Sequence, residues 1–329
     1  MSKLTLSRVE HSQIQGKYHT IFQTIDWMRF VSQTQNAEPV VALVRDGECQ
    51  VGVFYGLIIK KYGLRILGSP FPGWSTSYMG FCLEQSVSRV EVLLALKKFA
   101  FSVLKCIHIE IMDRHLKESD LKKARFKYKQ QTGFEVDLTK SEEAIFAATT
   151  SACRRCIRKA ARNGVRIEIA DDLSFVDDYY SQLEEVFAKQ NLVPTYPIER
   201  VRSLIECLLP TGNLLLLRAR DKEGDCIATG IFPALNDTMY FWGGGSWRRY
   251  QILRPNEAMQ WFAMLYWKER GVSRYDMGGG GDYKRKYGGV AIAVPWGRKS
   301  KYLVFAYLRN IGMYLFIIKQ RISGWRKQR

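Results

Sequence analysis

The sequence predicts an α/β (α+β) protein made of two copies of one domain, each a mixed, mostly antiparallel sheet flanked by helices. Three observations lead there. A chain of 329 residues with 47% hydrophobic composition can bury two cores. One order of elements, three strands, a helix and a further strand, runs along it twice. Short Gly- and Asp-containing turns separate the strand runs, as in antiparallel meanders.

In the first copy, the apolar residues 40–44 lead through Arg45-Asp46-Gly47-Glu48 into strands over 50–57 and 64–69. A helix over 90–105 and a strand over 108–112 follow. In the second copy, a strand over 214–219 leads through a turn at 220–225 into strands over 226–235 and 238–242. A helix over 255–270 and a strand over 273–277 complete it. Between the copies, Asp137-Leu138-Thr139 ends a strand, Ser141-Glu142-Glu143 is a helix start and Asn163-Gly164 a helix stop. The expected division is 1–136 for the first domain, completed by the C-terminal helix, 137–299 for the second, and 300–329 for a basic amphipathic C-terminal segment.

The formal charge is +18, and residues 298–329 hold nine Lys or Arg and no Asp or Glu. Half of the excess therefore lies in the last tenth of the chain, which points to an anionic partner met by a localised surface. The seven cysteines have no framework spacing, which suits a reducing compartment. Only Cys153 and Cys156 form a CxxC, without a second pair or a nearby histidine. With four histidines and no HExxH, no metal site is expected. The first fifteen residues are polar and lack an apolar secretory core, so a cytoplasmic protein is expected.

Two stretches carry chemistry. Residues 275–289 pack six glycines, three basic residues and three tyrosines into the end of a strand, a composition suited to cradling an anion. A long polar hairpin end is the plainer alternative. On the helix ending at Gly164, Arg154, Arg158 and Arg162 are four apart, as are Arg155 and Lys159, so one side is a basic stripe without interleaved acid. Neither glycine cluster follows GxGxxG, because its sixth position is Arg248 in one case and Tyr283 in the other.

The basic run at 151–165, Tyr275-Asp276-Met277-Gly278, and Tyr283-Lys284-Arg285-Lys286-Tyr287-Gly288-Gly289 resemble the Fem-type and cellulose-locus branch of the GNAT acyltransferases. Pro70-Phe71-Pro72-Gly73-Trp74-Ser75-Thr76 and Leu253-Arg254-Pro255-Asn256-Glu257 are similar to further signatures of that group. The resemblance covers nearly the whole chain and implies tandem GNAT-like domains. For Fem-type enzymes it implies an aminoacyl-tRNA donor and an amine acceptor on a peptidoglycan precursor. For the polysaccharide-locus relatives it implies an acyl-CoA donor. Tyr283-Lys284 matches the aromatic-lysine pair that meets the donor in Fem-type enzymes, whereas residues 177–209 are too short for the helical arm that some members carry.

In GNAT folds a splayed strand and the N-terminus of the next helix receive the donor. The matching residues are Trp242, Gly243, Gly244, Ser246 and Arg248 after the strand, and Asn256 at the helix start. Residues 248–253 contain no glycine, a departure from the usual Gln/Arg-x-x-Gly-x-Gly/Ala pyrophosphate loop. Arg154, Arg158, Lys159, Tyr283 and Lys286 join them as donor-binding candidates. Lys284, Glu257 and Asp276 are the catalytic candidates, although Glu257 also suits a helix dipole and Asp276 the capping of loop amides. On the acceptor side stand Pro72, Trp74, Ser75, Thr76 and Tyr78, where Trp74 and Tyr78 either stack on a sugar or peptide or plug the core.

Residues 302–318 are apolar but broken by Arg309-Asn310, which falls short of a spanning helix and describes an interfacial amphipathic one. The expected function is acyl transfer, with acyl-CoA favoured as co-substrate, to an amine of a cell-envelope glycan or of a peptidoglycan or exopolysaccharide precursor, at the inner face of an anionic membrane. The alternatives are aminoacyl-tRNA as donor, or a non-catalytic GNAT pair serving assembly.

Overall fold

The computed structural model describes residues 4–14, 18–309 and 311. The described residues divide into two compact units, one from the chain up to Gln131 together with the described residues from Ala293 to Ile311, the other Thr132–Ile292. The first contains β1 (Leu4–Val9), α1 (Ile25–Gln35), β2 (Glu38–Asp46), β3 (Cys49–Lys61), β4 (Leu64–Ser69), β5 (Phe81–Leu83), α2 (Arg89–Lys98), β6 (His108–Met112) and α3 (Glu118–Lys123). β7 (Lys127–Asp137) leads into the second, which contains α4 (Glu142–Ala148), α5 (Ser151–Arg162), β8 (Arg166–Ala170), α6 (Phe175–Ala188), α7 (Ile198–Leu208), β9 (Leu214–Arg220), β10 (Cys226–Leu235), β11 (Thr238–Tyr240), β12 (Gly243–Ser246), α8 (Pro255–Glu269) and β13 (Arg274–Gly279). β14 (Val290–Ser300) leads back to the first.

The repeat read from the sequence is present. In the first unit β2, β3 and β4 form an antiparallel meander, α2 crosses over, and β6 pairs parallel to β4 with Ile66 opposite His108. In the second, β9, β10 and β11 do the same, α8 crosses over, and β13 pairs parallel to β11 with Thr238 opposite Arg274. Local residues account for the connections. Tyr62 and Gly63 both have positive φ, 52° and 74°, as a primed hairpin turn between β3 and β4 requires. Thr24 caps α1 by accepting the Trp27 N–H, and Asn36 ends it in the left-handed region. Trp27, Phe30 and Val31 then face the core at helical spacing.

Three expectations shift. The helix over 90–105 stops at Lys98, and Phe99–Val103 form a single wider turn that closes with the Leu104 N–H on the Phe99 carbonyl. The stretch from Ser141 to Gly164 is two helices, because Thr149 turns extended and the Thr150 hydroxyl caps α5 by accepting the Cys153 N–H. The expected loop at Gly243 begins instead as strand β12, since its backbone pairs with β10.

Each unit has a core of its own. Strand residues Val40, Phe54 and Ile109 pack with Val92, Leu93 and Leu96 of α2 in the first, and Leu215, Leu217 and Phe232 pack with Met259, Ala263 and Trp267 of α8 in the second. No helix among the described residues is long and apolar enough to cross a membrane. Residues 303–309 are helical. The rest of the expected amphipathic segment, Asn310 and 312–329, lies outside the described residues.

Candidate active site

The site is set by the place in the second unit where pairing with β13 ends while pairing with β10 continues. β11 runs beside β13 through Tyr240, opposite Asp276, and the Phe241 N–H still donates to the Asp276 carbonyl at 3.0 Å. The next residue, Trp242, faces the other neighbour, as alternation along a strand requires, and donates to the Ile231 carbonyl of β10 at 3.1 Å. From there the chain continues as β12 against β10, Gly243 opposite Ile231. A wedge therefore opens between β12 and β13 beyond Tyr240, and α8 starts beside it with Pro255 in its first turn and Arg254 at its N-cap.

One wall of the wedge is β12. Gly243 and Gly245 are there because α6 lies against the strand. A Cβ on Gly243 would stand 2.2 Å from the Tyr179 hydroxyl oxygen, and one on Gly245 would meet the Gln182 side chain at 2.8 Å and its backbone at 3.1 Å. Gly244 faces the Thr229 carbonyl, 3.0 Å from where a Cβ would lie. Trp242 is buried among the rings of Tyr196 and Tyr179, with centroids 5.4 and 6.3 Å away. The Ser246 hydroxyl accepts from Asn256 Nδ2 at 3.0 Å, which ties the strand end to the start of α8. The Arg248 N–H donates to Glu185 at 2.7 Å and anchors the following 3-10 turn, Arg248–Leu253, to α6.

The other wall is β13 and its glycine loop. Asp276 is fully buried, and its Oδ1 accepts the Gly278 N–H at 2.7 Å. Gly278 and Gly281 have φ of 71° and 79°, which the loop needs in order to reverse. The 3-10 turn Asp282–Tyr287 then returns Lys284 into the loop, where its Nζ donates to the carbonyls of Met277 at 2.6 Å and Gly279 at 2.8 Å. Lys284 is 5% exposed. Burial lowers its pKa, and the Asp276 charge restores part of the fall. Tyr283 stays exposed, its ring centroid 5.9 Å from Lys284 Nζ. Lys286 reaches the other way and pairs with Glu257 of α8 at 2.7 Å.

The fold thus assembles Lys284, Lys286, Asp276, Glu257, Asn256, Ser246, Gly243, Gly244 and Trp242 around one wedge. The basic stripe is partly engaged elsewhere. Arg154 donates to the carbonyls of Ala147, Phe146 and Thr149 and so closes the C-terminus of α4, and the Arg158 guanidinium lies 5.3 Å from the Phe146 ring. Arg155, Arg158 and Arg162 are exposed, and Lys159 is half-buried. α5 is nevertheless tied to the site, since the Thr150 N–H donates to the Lys286 carbonyl at 2.9 Å.

The acceptor-side candidates belong to the first unit. Thr76 and Tyr78 are buried, and the Thr76 hydroxyl accepts from Trp27 Nε1 at 3.1 Å. Trp74 is half-buried on the Phe71 ring, centroid distance 4.7 Å, beside half-buried Pro72 and exposed Ser75. The corresponding strand opening in this unit, where β5 leaves for β3, is filled: the Asp113 carboxylate accepts the Phe81 N–H at 2.7 Å, and Phe71, Tyr78 and Met79 are buried there. Sequence reasoning missed Tyr179 and Gln182, whose signal was the alternation of Gly243 and Gly245 along one strand face. Among the described residues no group of three or more His, Cys, Asp or Glu could hold a metal.

A sheet split between two parallel strands, with a helix N-terminus at the split, agrees with what the resemblance to GNAT acyltransferases leads one to expect. Residues 147–285 match the family model described as an acetyltransferase (GNAT) domain, a span that includes the wedge and Lys284. No curated protein matches the chain in sequence. Among solved structures, FemX is similar with a TM-score of 0.70 at 14% identity, over 89% of this chain and 96% of that one. A tandem GNAT protein from the clavulanic acid biosynthesis pathway is similar with a TM-score of 0.54 at 9% identity, over 90% and 99%. The L-PGS of Bacillus licheniformis follows with 0.50 at 11% identity, over 82% and 89%. At these identities the likeness is one of fold.

Proposed function

We propose that the protein is a GNAT-type N-acyltransferase that takes an acyl group from acyl-CoA and transfers it to an amine of a cell-envelope glycan or of a peptidoglycan or exopolysaccharide precursor. The observation that supports this most is the departure of the chain from β13 between Phe241 and Trp242, beside the start of α8. The wedge offers backbone groups to an extended donor, and the first turn of α8 offers N–H groups to its phosphates.

In this reading Lys284 acts on the acyl group. Two of its three N–H donors hold the glycine loop, and the third meets the carbonyl oxygen. A neutral amine adds to the carbonyl carbon, the oxyanion forms against the ammonium, the C–S bond breaks, and the proton shed by nitrogen passes through water to the departing thiolate. Asp276 and Glu257 position rather than transfer, because one holds the Gly278 N–H and the other is paired with Lys286. Pro72, Trp74 and Ser75 are the acceptor-binding candidates that remain at least partly accessible, with Thr76 and Tyr78 holding their loop.

Aminoacyl-tRNA is the second reading for the donor. It is favoured by the turn Arg248–Leu253, which lacks glycine, and by the exposed cations of α5. Binding of acetyl-CoA and of a charged tRNA, measured at several salt concentrations, separates the two: a steep salt slope with tRNA and no acetyl-CoA binding would reverse the donor assignment. Transfer that survives Lys284→Ala unchanged would remove the catalytic reading.

A further inference from the structure

The first unit carries a cavity of about 290 Å³ beside the N-terminal end of β6, with Arg125, Lys127, Arg298, Lys299 and Arg309 on its walls. Its lining residues His108, Ser300 and Arg309 belong to one polar chain that runs through Glu110. His108 Nδ1 lies 2.7 Å from the Ser300 hydroxyl and its Nε2 lies 3.2 Å from Glu110. Glu110 also accepts from Trp296 Nε1 at 2.7 Å and Arg309 Nε at 2.8 Å. Glu110 thus has partners in His108, Trp296 and the wall residue Arg309. Among the described residues no carboxylate pairs with Arg125, Lys127, Arg298 or Lys299. Lys97 registers the excess: its pKa is lowered first by burial and then by the charges of Lys299 and Arg125.

The rim is apolar. Tyr302, Leu303, Val304, Tyr307, Leu308 and Ile311 are each between 52% and 74% exposed, and Leu303 itself lines the cavity. A soluble anion or a nucleic acid would satisfy the cations and leave these side chains in water. A surface that is anionic and has an apolar layer beneath its charges satisfies both. We propose that the cavity receives the phosphate of an anionic phospholipid headgroup while Tyr302, Leu303, Tyr307 and Leu308 enter the interfacial layer, fastening the first unit to a membrane.

The proposal uses no part of the wedge, so it stands or falls separately from the acyltransferase reading. The test is co-sedimentation of the full chain with vesicles of phosphatidylcholine alone and with phosphatidylglycerol added. Binding is expected only to the mixed vesicles. The combined change Arg125→Gln, Lys127→Gln and Arg298→Gln weakens it about a hundredfold, at about 1 kcal/mol per cation. Leu303→Ser with Leu308→Ser weakens it about tenfold or more. The charge-matched changes Arg166→Gln, Arg202→Gln and Lys222→Gln in the second unit leave it unchanged. Hydrogen exchange on the unmodified chain supplies a readout that no folding defect can confuse: residues 125–127 and 303–309 gain protection with the mixed vesicles. Vesicle binding that survives the cavity changes, that is lost only on deletion of residues 318–329, or that is absent while inorganic phosphate binds overturns the proposal.

Discussion

Lys286 and Glu257 meet at 2.7 Å, and the pair joins the turn after β13 to the first turn of α8. Glu257 is 8% exposed, so its carboxylate has little access to solvent beyond this partner. The contact fixes where the glycine loop ends relative to the helix N-terminus that faces the wedge. It makes Glu257 a strut of the site.

Glu257→Gln tests that role. The variant keeps the size and loses the charge, and is expected to unfold with about 1–2 kcal/mol less stability while retaining activity within about tenfold. A general base would cost about a hundredfold to ten-thousandfold at the same position. Denaturant unfolding and steady-state rates on the same samples decide between them.

Lys284→Ala is expected to lower kcat by about a hundredfold to a thousandfold, the usual effect of losing one oxyanion donor. The pH profile adds a second reading. Burial holds the Lys284 pKa below its ordinary value, so a rate that needs the ammonium falls on the alkaline side before about pH 10.4. In Lys284→Arg that alkaline limb moves upward, because the guanidinium stays charged. An unchanged limb in the arginine variant would remove Lys284 as its source.

Asp276→Asn keeps an oxygen for the Gly278 N–H and deletes the charge that raises the Lys284 pKa. The alkaline limb is then expected to move to lower pH than in the parent protein. A limb that moves upward would show that Asp276 and Lys284 are not coupled in this sense.

Gly243→Ala places a methyl group 2.2 Å from the Tyr179 hydroxyl oxygen. Overpacking of this kind costs about 1–3 kcal/mol. The added change Tyr179→Phe, which removes that oxygen, is expected to recover part of the loss in thermal unfolding, and no recovery would mean that the clash lies elsewhere.

Glu110 gives a pH signature in the first unit. Burial pushes its carboxyl pKa up, but the bonds from His108 and Arg309 more than offset this and the net shift is downward. A lowered folded pKa contributes stability that is present above the unfolded value of about 4.3 and is lost as pH falls through the folded one. Glu110→Gln is expected to cost about 2 kcal/mol at neutral pH, with the gap to the parent protein closing below about pH 4. A gap independent of pH would assign the loss to packing alone.

The tandem repeat was legible because its signals are contiguous: apolar runs, turn residues and helix caps lie within a few positions of one another. Arg154 shows where such reading ends. Its four-residue spacing from Arg158 was visible, but the α4 carbonyls it closes exist only because Thr149 breaks the helix. The glycines at 243 and 245 were likewise visible as composition, whereas the reason for them, the approach of α6, joins residues about sixty positions apart.

By itself the sequence determined two α/β units of like topology, a glycine-rich strand end with Lys284 in it, and an excess of positive charge. Tertiary structure decided that β11 leaves β13 at Phe241, because pairing with β13 ends there while pairing with β10 continues through Trp242, and Asp276 and Ile231 are each distant along the chain. It also gathered Arg125, Arg298 and Arg309 around one cavity. Local preferences specify each element; pairing between distant strands and the gathering of distant charges specify where the elements part and leave room for a ligand.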